Sequence, residues 1–177
     1  MAAKDPIRAS LAAWVGLCGL SGLALGWLPP HLQAPDAGLL RLEKTIAVPA
    51  DAGWVDTAID VLPGEELRFT AAGEIDLQRG NPGAVCGPAG IGLITVDQPV
   101  PSANLGALIG KVVQLVAVRV DEDSGIEVRD EIFVLFLIGQ EGTVTVPFKG
   151  RLYLGINENV LRDNGGAYSV VVTRRPA

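Results

Sequence analysis

The sequence predicts an all-β fold, an antiparallel β-sandwich, carried behind a single N-terminal transmembrane helix. Three observations lead there. Residues 9–28 (ASLAAWVGLCGLSGLALGWL) contain no charged side chain. From residue 44 onward, short apolar runs alternate with period two, the repeat of a half-buried strand. Finally, 22 Gly and 12 Pro against 5% aromatic residues break the chain into many turns rather than long helices.

Composition sets the outer bounds. A chain of 177 residues fits one globular domain with an appendage. Apolar residues make up 49% and charged residues 19%, which excludes a disordered acidic tail. With 14 Lys and Arg against 20 Asp and Glu, the net charge of -6 argues against a nucleic-acid binder. Two Cys and one His are too few for a disulfide framework or a Cys/His zinc site.

The N-terminal elements follow in order. Residues 1–8 include Lys4 and Arg8 and form a cytoplasmic N-terminus under the positive-inside rule. As a helix, residues 9–28 span about 30 Å, the thickness of the bilayer hydrocarbon. Trp27 falls at the outer interface. A cleaved signal peptide is the competing reading, but its apolar core is shorter and ends at a small-x-small site. The best such match, Gly22-Leu23-Ala24, lies inside the run, and Leu17 before Cys18 departs from a lipoprotein signal. An uncleaved signal anchor is therefore expected, placing the later residues in the periplasm of a bacterial inner membrane. Ala12, Gly16, Gly19, Gly22 and Gly26 recur three or four apart, a stripe that lets neighbouring helices approach closely, or one that membrane helices merely tolerate. Residues 29–43 are a proline-containing linker, at most roughly 50 Å long if fully extended. His31 lies there beside Pro29 and Pro30, without a visible catalytic partner.

Residues 44–177 hold the sandwich. The expected strands are 45–48, 55–61, 67–71, 91–96, 111–120, 127–138, 143–147, 152–156 and 167–173, separated by Gly-, Pro-, Asn- and Asp-containing turns. No βαβ rhythm interrupts them, which argues against a Rossmann-like sheet. Residues 115–131 read as an extended hairpin with its tip at Ser124-Gly125, a plausible docking arm on an anchored domain. Asp121, Glu122 and Asp123 echo part of a calcium loop, yet the rest of an EF-hand is missing. Cys18 falls in the membrane and Cys86 outside it, so the two do not pair within one chain.

Several spaced segments together resemble the bacterial PA-I-type galactophilic lectin family, whose fold is a calcium-dependent β-sandwich (a lectin-like jelly roll). They are Trp54-x-x-Thr57, Leu62-Pro63-Gly64-Glu65, Ala71-Ala72-Gly73, Gly87-Pro88-Ala89-Gly90, Gly106-Ala107-Leu108-Ile109-Gly110 and Phe136-Leu137-Ile138-Gly139. Gly150-Arg151-Leu152-Tyr153-Leu154-Gly155-Ile156-Asn157-Glu158 and Asp163-Asn164-Gly165-Gly166-Ala167-Tyr168 complete the set, in order over most of residues 44–174. The resemblance implies a calcium ion in the loop between the last two strands. Glu158 would be its acidic ligand, Asp163 and Asn164 the paired ligands, with Asn157 in the same loop and backbone carbonyls near Leu77 and Val160. Calcium takes six to eight oxygens in loose geometry, and this loop offers several. The alternative is a plain turn, since Asp-Asn-Gly-Gly tolerates positive φ without any metal. The family's polar, histidine-bearing sugar loop is replaced here by Ile91-Gly92-Leu93-Ile94-Thr95-Val96, with polar residues beginning at Asp97 and Gln98.

No Ser/His/Asp set, G-x-S-x-G turn, phosphate loop or haem-attachment motif is present, so the sequence points away from an enzyme. Two functions follow. One is a single-span accessory subunit of a larger bacterial membrane complex, its helix packing on integral membrane partners and its sandwich covering their periplasmic face. The other is a membrane-anchored periplasmic module that binds a saccharide through calcium. The anchor, the small-residue stripe and the long hairpin favour the subunit.

Overall fold

Alternation along the chain becomes alternation of burial. In β2 (Val55–Val61) Thr57, Ile59 and Val61 point inward while Asp56, Ala58 and Asp60 face solvent. In β3 (Glu66–Ala72), Leu67, Phe69 and Ala71 are the inward set. The computed structural model describes residues 42–122 and 125–175. Residues 1–8, the expected helix at 9–28 with its Ala12, Gly16, Gly19, Gly22 and Gly26 stripe, His31, and all but the last two residues of the expected linker lie outside the described residues. Among the described residues no helix is long and apolar enough to cross a membrane.

The remaining strands are β1 (Leu42–Pro49), β4 (Ile75–Asp76), β5 (Val85–Cys86), β6 (Leu108–Val120), β7 (Glu127–Leu137), β8 (Glu141–Thr145), β9 (Gly150–Ile156) and β10 (Gly165–Arg175). β1 begins two residues inside the expected linker, because Leu42 and Glu43 pair with Arg174 and Thr173. Two antiparallel sheets result. In the first, β10 is central, with β1 along one edge and β3 followed by β4 along the other; β8 flanks β3 and β5 flanks β4. The second has the order β2-β9-β6-β7. Leu67, Phe69, Val170 and Val172 from the first sheet pack with Val61, Val112, Leu152 and Leu154 from the second in a single buried core. The Phe69 and Phe136 rings meet across it at 5.9 Å.

Several signature segments prove to be structural devices. A β-bulge interrupts β2 between Asp56 and Ile59, and Ala58 there takes a φ of 53°. Thr57 repairs the ladder, its hydroxyl donating to Leu152 O at 2.7 Å and accepting from Ile59 N at 3.2 Å. In the Leu62–Glu65 turn the buried Glu65 carboxylate accepts from Leu62 N at 2.8 Å.

Two expectations are corrected. Residues 91–96 do not form a strand: only Ile91 pairs, as an isolated bridge to Leu105, and Val96 is 84% exposed. Alternation gave this run a strand's pattern, but beyond Ile91 no neighbouring strand offers it a ladder. The two-residue strands β4 and β5 were missed because two residues show no period.

The hairpin is present. β9 pairs with β6 only as far as Val113, and beyond that point β6 and β7 pair with each other alone. Leu115, Val116, Val118, Val120, Ile126 and Phe133 are exposed on this arm.

Candidate functional site

The sandwich has two distinct ends. At one lie the β2–β3 and β8–β9 turns and the hairpin arm. At the other converge four loops: 50–54, 77–84, 87–107 and 157–164. Tyr168, fully buried in β10, holds the two ends of the 87–107 loop together. Its hydroxyl lies 2.7 Å from Gly87 O and 3.0 Å from Gly106 O, and 3.5 Å from the Cys86 thiol. The motif pieces Gly87-Pro88, Gly106-Ala107 and Tyr168 are far apart in sequence and meet at this oxygen. Burial pushes the Tyr168 phenol well above its ordinary range, with the Cys86 contact adding to it. It raises the Cys86 thiol too, against a lowering hydrogen bond from Tyr168. A buried thiol held protonated is a poor nucleophile.

The 157–164 loop carries the residues singled out by sequence. Glu158 is half-buried, and its Oε1 accepts from Asn159 N and Val160 N, both at 3.0 Å. Glu158 and Asp163 line one surface pocket of about 280 Å³ together with Leu77, Val160, Gln78 and Asn81. Four of the expected positions, Glu158, Asp163, Leu77 and Val160, thus border one pocket, and Asn164 is not among its lining residues. Asn164 is fully buried and donates from Nδ2 to Ala50 O at 3.1 Å.

Asp163 Oδ1 and Asn164 Oδ1 are both buried and have no hydrogen-bond partner. A buried acceptor without a donor costs about 1–3 kcal/mol, more when it is charged. Two such oxygens on adjacent residues therefore call for a positive or donating group. The turn alternative accounts for Gly166, whose φ is +81° and where a Cβ would stand 2.6 Å from Glu74 O. It leaves both oxygens unexplained. Among the described residues no cluster of three or more His, Cys, Asp or Glu is gathered. The donor set is instead two carboxylates, an amide and carbonyls, all oxygen, which suits a hard cation of calcium's type and not zinc.

Asn157 takes a different place, which corrects its expected role as a metal ligand. Its side chain is fully buried, with Oδ1 accepting from Val100 N at 2.9 Å. Nδ2 lies 3.1, 3.2 and 3.1 Å from the carbonyls of Val100, Ala103 and Asn104. The carboxamide pins the 100–104 loop to the end of β9. Its neighbour Glu158 opens the other way.

Other residues of this end were not singled out by sequence. Thr95 Oγ1 and Gln98 Oε1 are also buried without partners. Asn159 Nδ2 donates to Asp97 O, tying that loop to 157–164. Trp54 borders a second, smaller pocket that shares Glu158.

No protein-family model and no curated protein matches the chain. Among solved structures the chain is similar to the N-terminal domain of EclA, described as a PllA-like lectin, with a TM-score of 0.50 at 20% identity over 74% of this chain and 95% of that one. At that identity the likeness establishes the fold: an all-β, lectin-like antiparallel sandwich.

Proposed function

We propose that the sandwich is a calcium-dependent carbohydrate-binding module, without catalytic activity, held by its N-terminal apolar segment on the periplasmic side of a bacterial inner membrane. The observation that carries this reading is the pair of unpartnered buried oxygens on Asp163 and Asn164, in a loop whose pocket also holds Glu158. Asp163, Asn164 and Glu158 would hold the ion with the Leu77 and Val160 carbonyls. A bound calcium supplies a positive centre whose open coordination positions accept sugar hydroxyls. The uncharged run with Lys4 and Arg8 before it supports the anchor and its orientation.

Thermal unfolding tests the metal. Calcium binding only the native state at about one hundred times Kd adds ~2.7 kcal/mol, a rise in Tm on the order of 10 °C. Wild type should show this rise and lose it in chelator, and Asp163→Ala should not respond at all. Retention of wild type on a galactose resin, abolished in Asp163→Ala, then tests the sugar. A wild-type Tm indifferent to calcium up to about 10 mM would remove the metal, since extracellular sites bind in the 0.1–1 mM range.

The hairpin supports a second reading, an accessory subunit of a membrane complex with integral membrane partners. Its strands leave the sandwich and expose Val116, Val118, Val120 and Ile126, which a free-standing lectin domain has no need to display. Replacing residues 116–130 by Asn-Gly, which keeps the Leu115–Glu131 pair flanking the new turn, is expected to change unfolding free energy by under about 1 kcal/mol, because the described residues removed are exposed or half-buried. The same variant should lose partners that accompany the full chain through mild-detergent purification. Unchanged co-purification would sink the docking role.

A further inference from the structure

We infer that Trp54 forms the wall of a second saccharide subsite beside the calcium loop, so that the preferred ligand is an extended glycan or glycoside and not a single sugar. This rests on the carbohydrate-binding reading above. A pocket of about 180 Å³ is lined by Trp54, Pro99, Ile156, Glu158, Asn159 and Leu161. Glu158 belongs to this pocket and to the one holding Asp163, so one carboxylate joins the two. A ligand seated at the calcium loop therefore has Trp54 in the adjoining pocket, on the other side of Glu158.

The indole is built into place. It meets β9 at Gly155, where an added Cβ would lie 2.9 and 3.1 Å from Cε3 and Cζ3, so any side chain there would displace the ring. The benzene half of the indole therefore lies over Gly155. The Lys111 ammonium sits 4.5 Å from the ring centroid and 5.3 Å from that of Tyr153. Desolvation lowers the Lys111 pKa, and Glu131 opposes that shift.

The chemistry of the pocket matches a pyranose. Trp54, Pro99, Ile156 and Leu161 offer an apolar surface to the ring's C–H face, while Glu158 and Asn159 offer polar atoms to its hydroxyl rim. The neighbouring 95–98 loop is held beside it by Asn159, whose Nδ2 donates to Asp97 O. No residue of the apolar run 91–96 lines this pocket. Selectivity shifts to the far side of Glu158.

The test uses the full chain in mild detergent with calcium, probed on an array of mono-, di- and trisaccharides of the common hexoses. Wild type should bind its best extended glycan about tenfold more tightly than the matching terminal monosaccharide. Trp54→Ala should bring the two to the same affinity and Trp54→Phe should keep part of the difference, both retaining the calcium-dependent rise in Tm that reports an intact fold. Equal binding of mono- and oligosaccharides by wild type, unchanged in Trp54→Ala, overturns the subsite and leaves the carbohydrate reading standing. No glycan bound by a calcium-loaded wild type overturns both.

Discussion

Asn157→Asp is expected to lower stability by about 3–5 kcal/mol, the range for a buried charge left without a partner. The substitution is nearly isosteric, so the effect isolates the electrostatics. In the wild type Nδ2 faces three carbonyl oxygens at 3.1–3.2 Å. A carboxylate would point an anionic oxygen at the same three acceptors, with no exposure to water. Protonation relieves that repulsion, so the deficit should shrink as pH falls and the new carboxyl takes up a proton. Urea unfolding followed by far-ultraviolet circular dichroism at neutral and acid pH reads both parts. A calcium ligand at this position would behave oppositely: Asp would bind calcium at least as well as Asn, and added calcium would rescue the variant.

Tyr168→Phe is the second large effect. Removing the hydroxyl leaves the Gly87 and Gly106 carbonyls without their shared donor, a loss of about 1–3 kcal/mol. The pH dependence follows from the direction of the shifts. Tyr168 and Cys86 both hold their protons in the folded state more tightly than in the unfolded chain, where they ionise near the ordinary values of 10.0 and 9.0. Their contribution is therefore complete below about pH 9. As pH rises past those values the unfolded chain binds fewer protons than the native one, and stability falls. Tyr168→Phe should show a shallower decline between about pH 9.5 and 11, with the cysteine part left. Parallel slopes in the two proteins would mean that the phenol is not what resists ionisation.

Much of the fold is legible in the sequence because burial on one face imposes period two. Thr57, Ile59 and Val61, then Leu67, Phe69 and Ala71, show it directly. The same signal misleads at 91–96, since alternation reports a side-chain pattern and not the presence of a neighbouring strand. Thr57 and Tyr168 stand in motifs whose roles (repairing a bulge and closing the ends of one long loop) emerge only when Leu152, Gly87 and Gly106 are placed beside them. Asp163, Asn164 and Glu158 were reachable through resemblance, and their pocket brings Glu158 and Asp163 together with Leu77 and Val160. The place of Asn157 was not legible, because the loop its side chain holds lies more than fifty residues away in the chain. The meeting of Trp54 with Glu158 in one pocket had no signal either, because loops far apart in the chain bring them together and their sequence separation carries no pattern.

The polarity of β10 has one more consequence. Gly165 begins that strand at the 157–164 loop, and Arg175 ends it beside Glu66 and near Leu42, on the order of 30 Å away. Both points where the chain leaves the described sandwich are therefore on its back, as seen from a ligand approaching the loops. Copies fixed by either end to a bead, a sensor chip or a bilayer would all face outward in the same sense. Individually weak contacts with a repetitive polymer would then add through effective concentration, and the strength of attachment would be set by surface density more than by any one pocket.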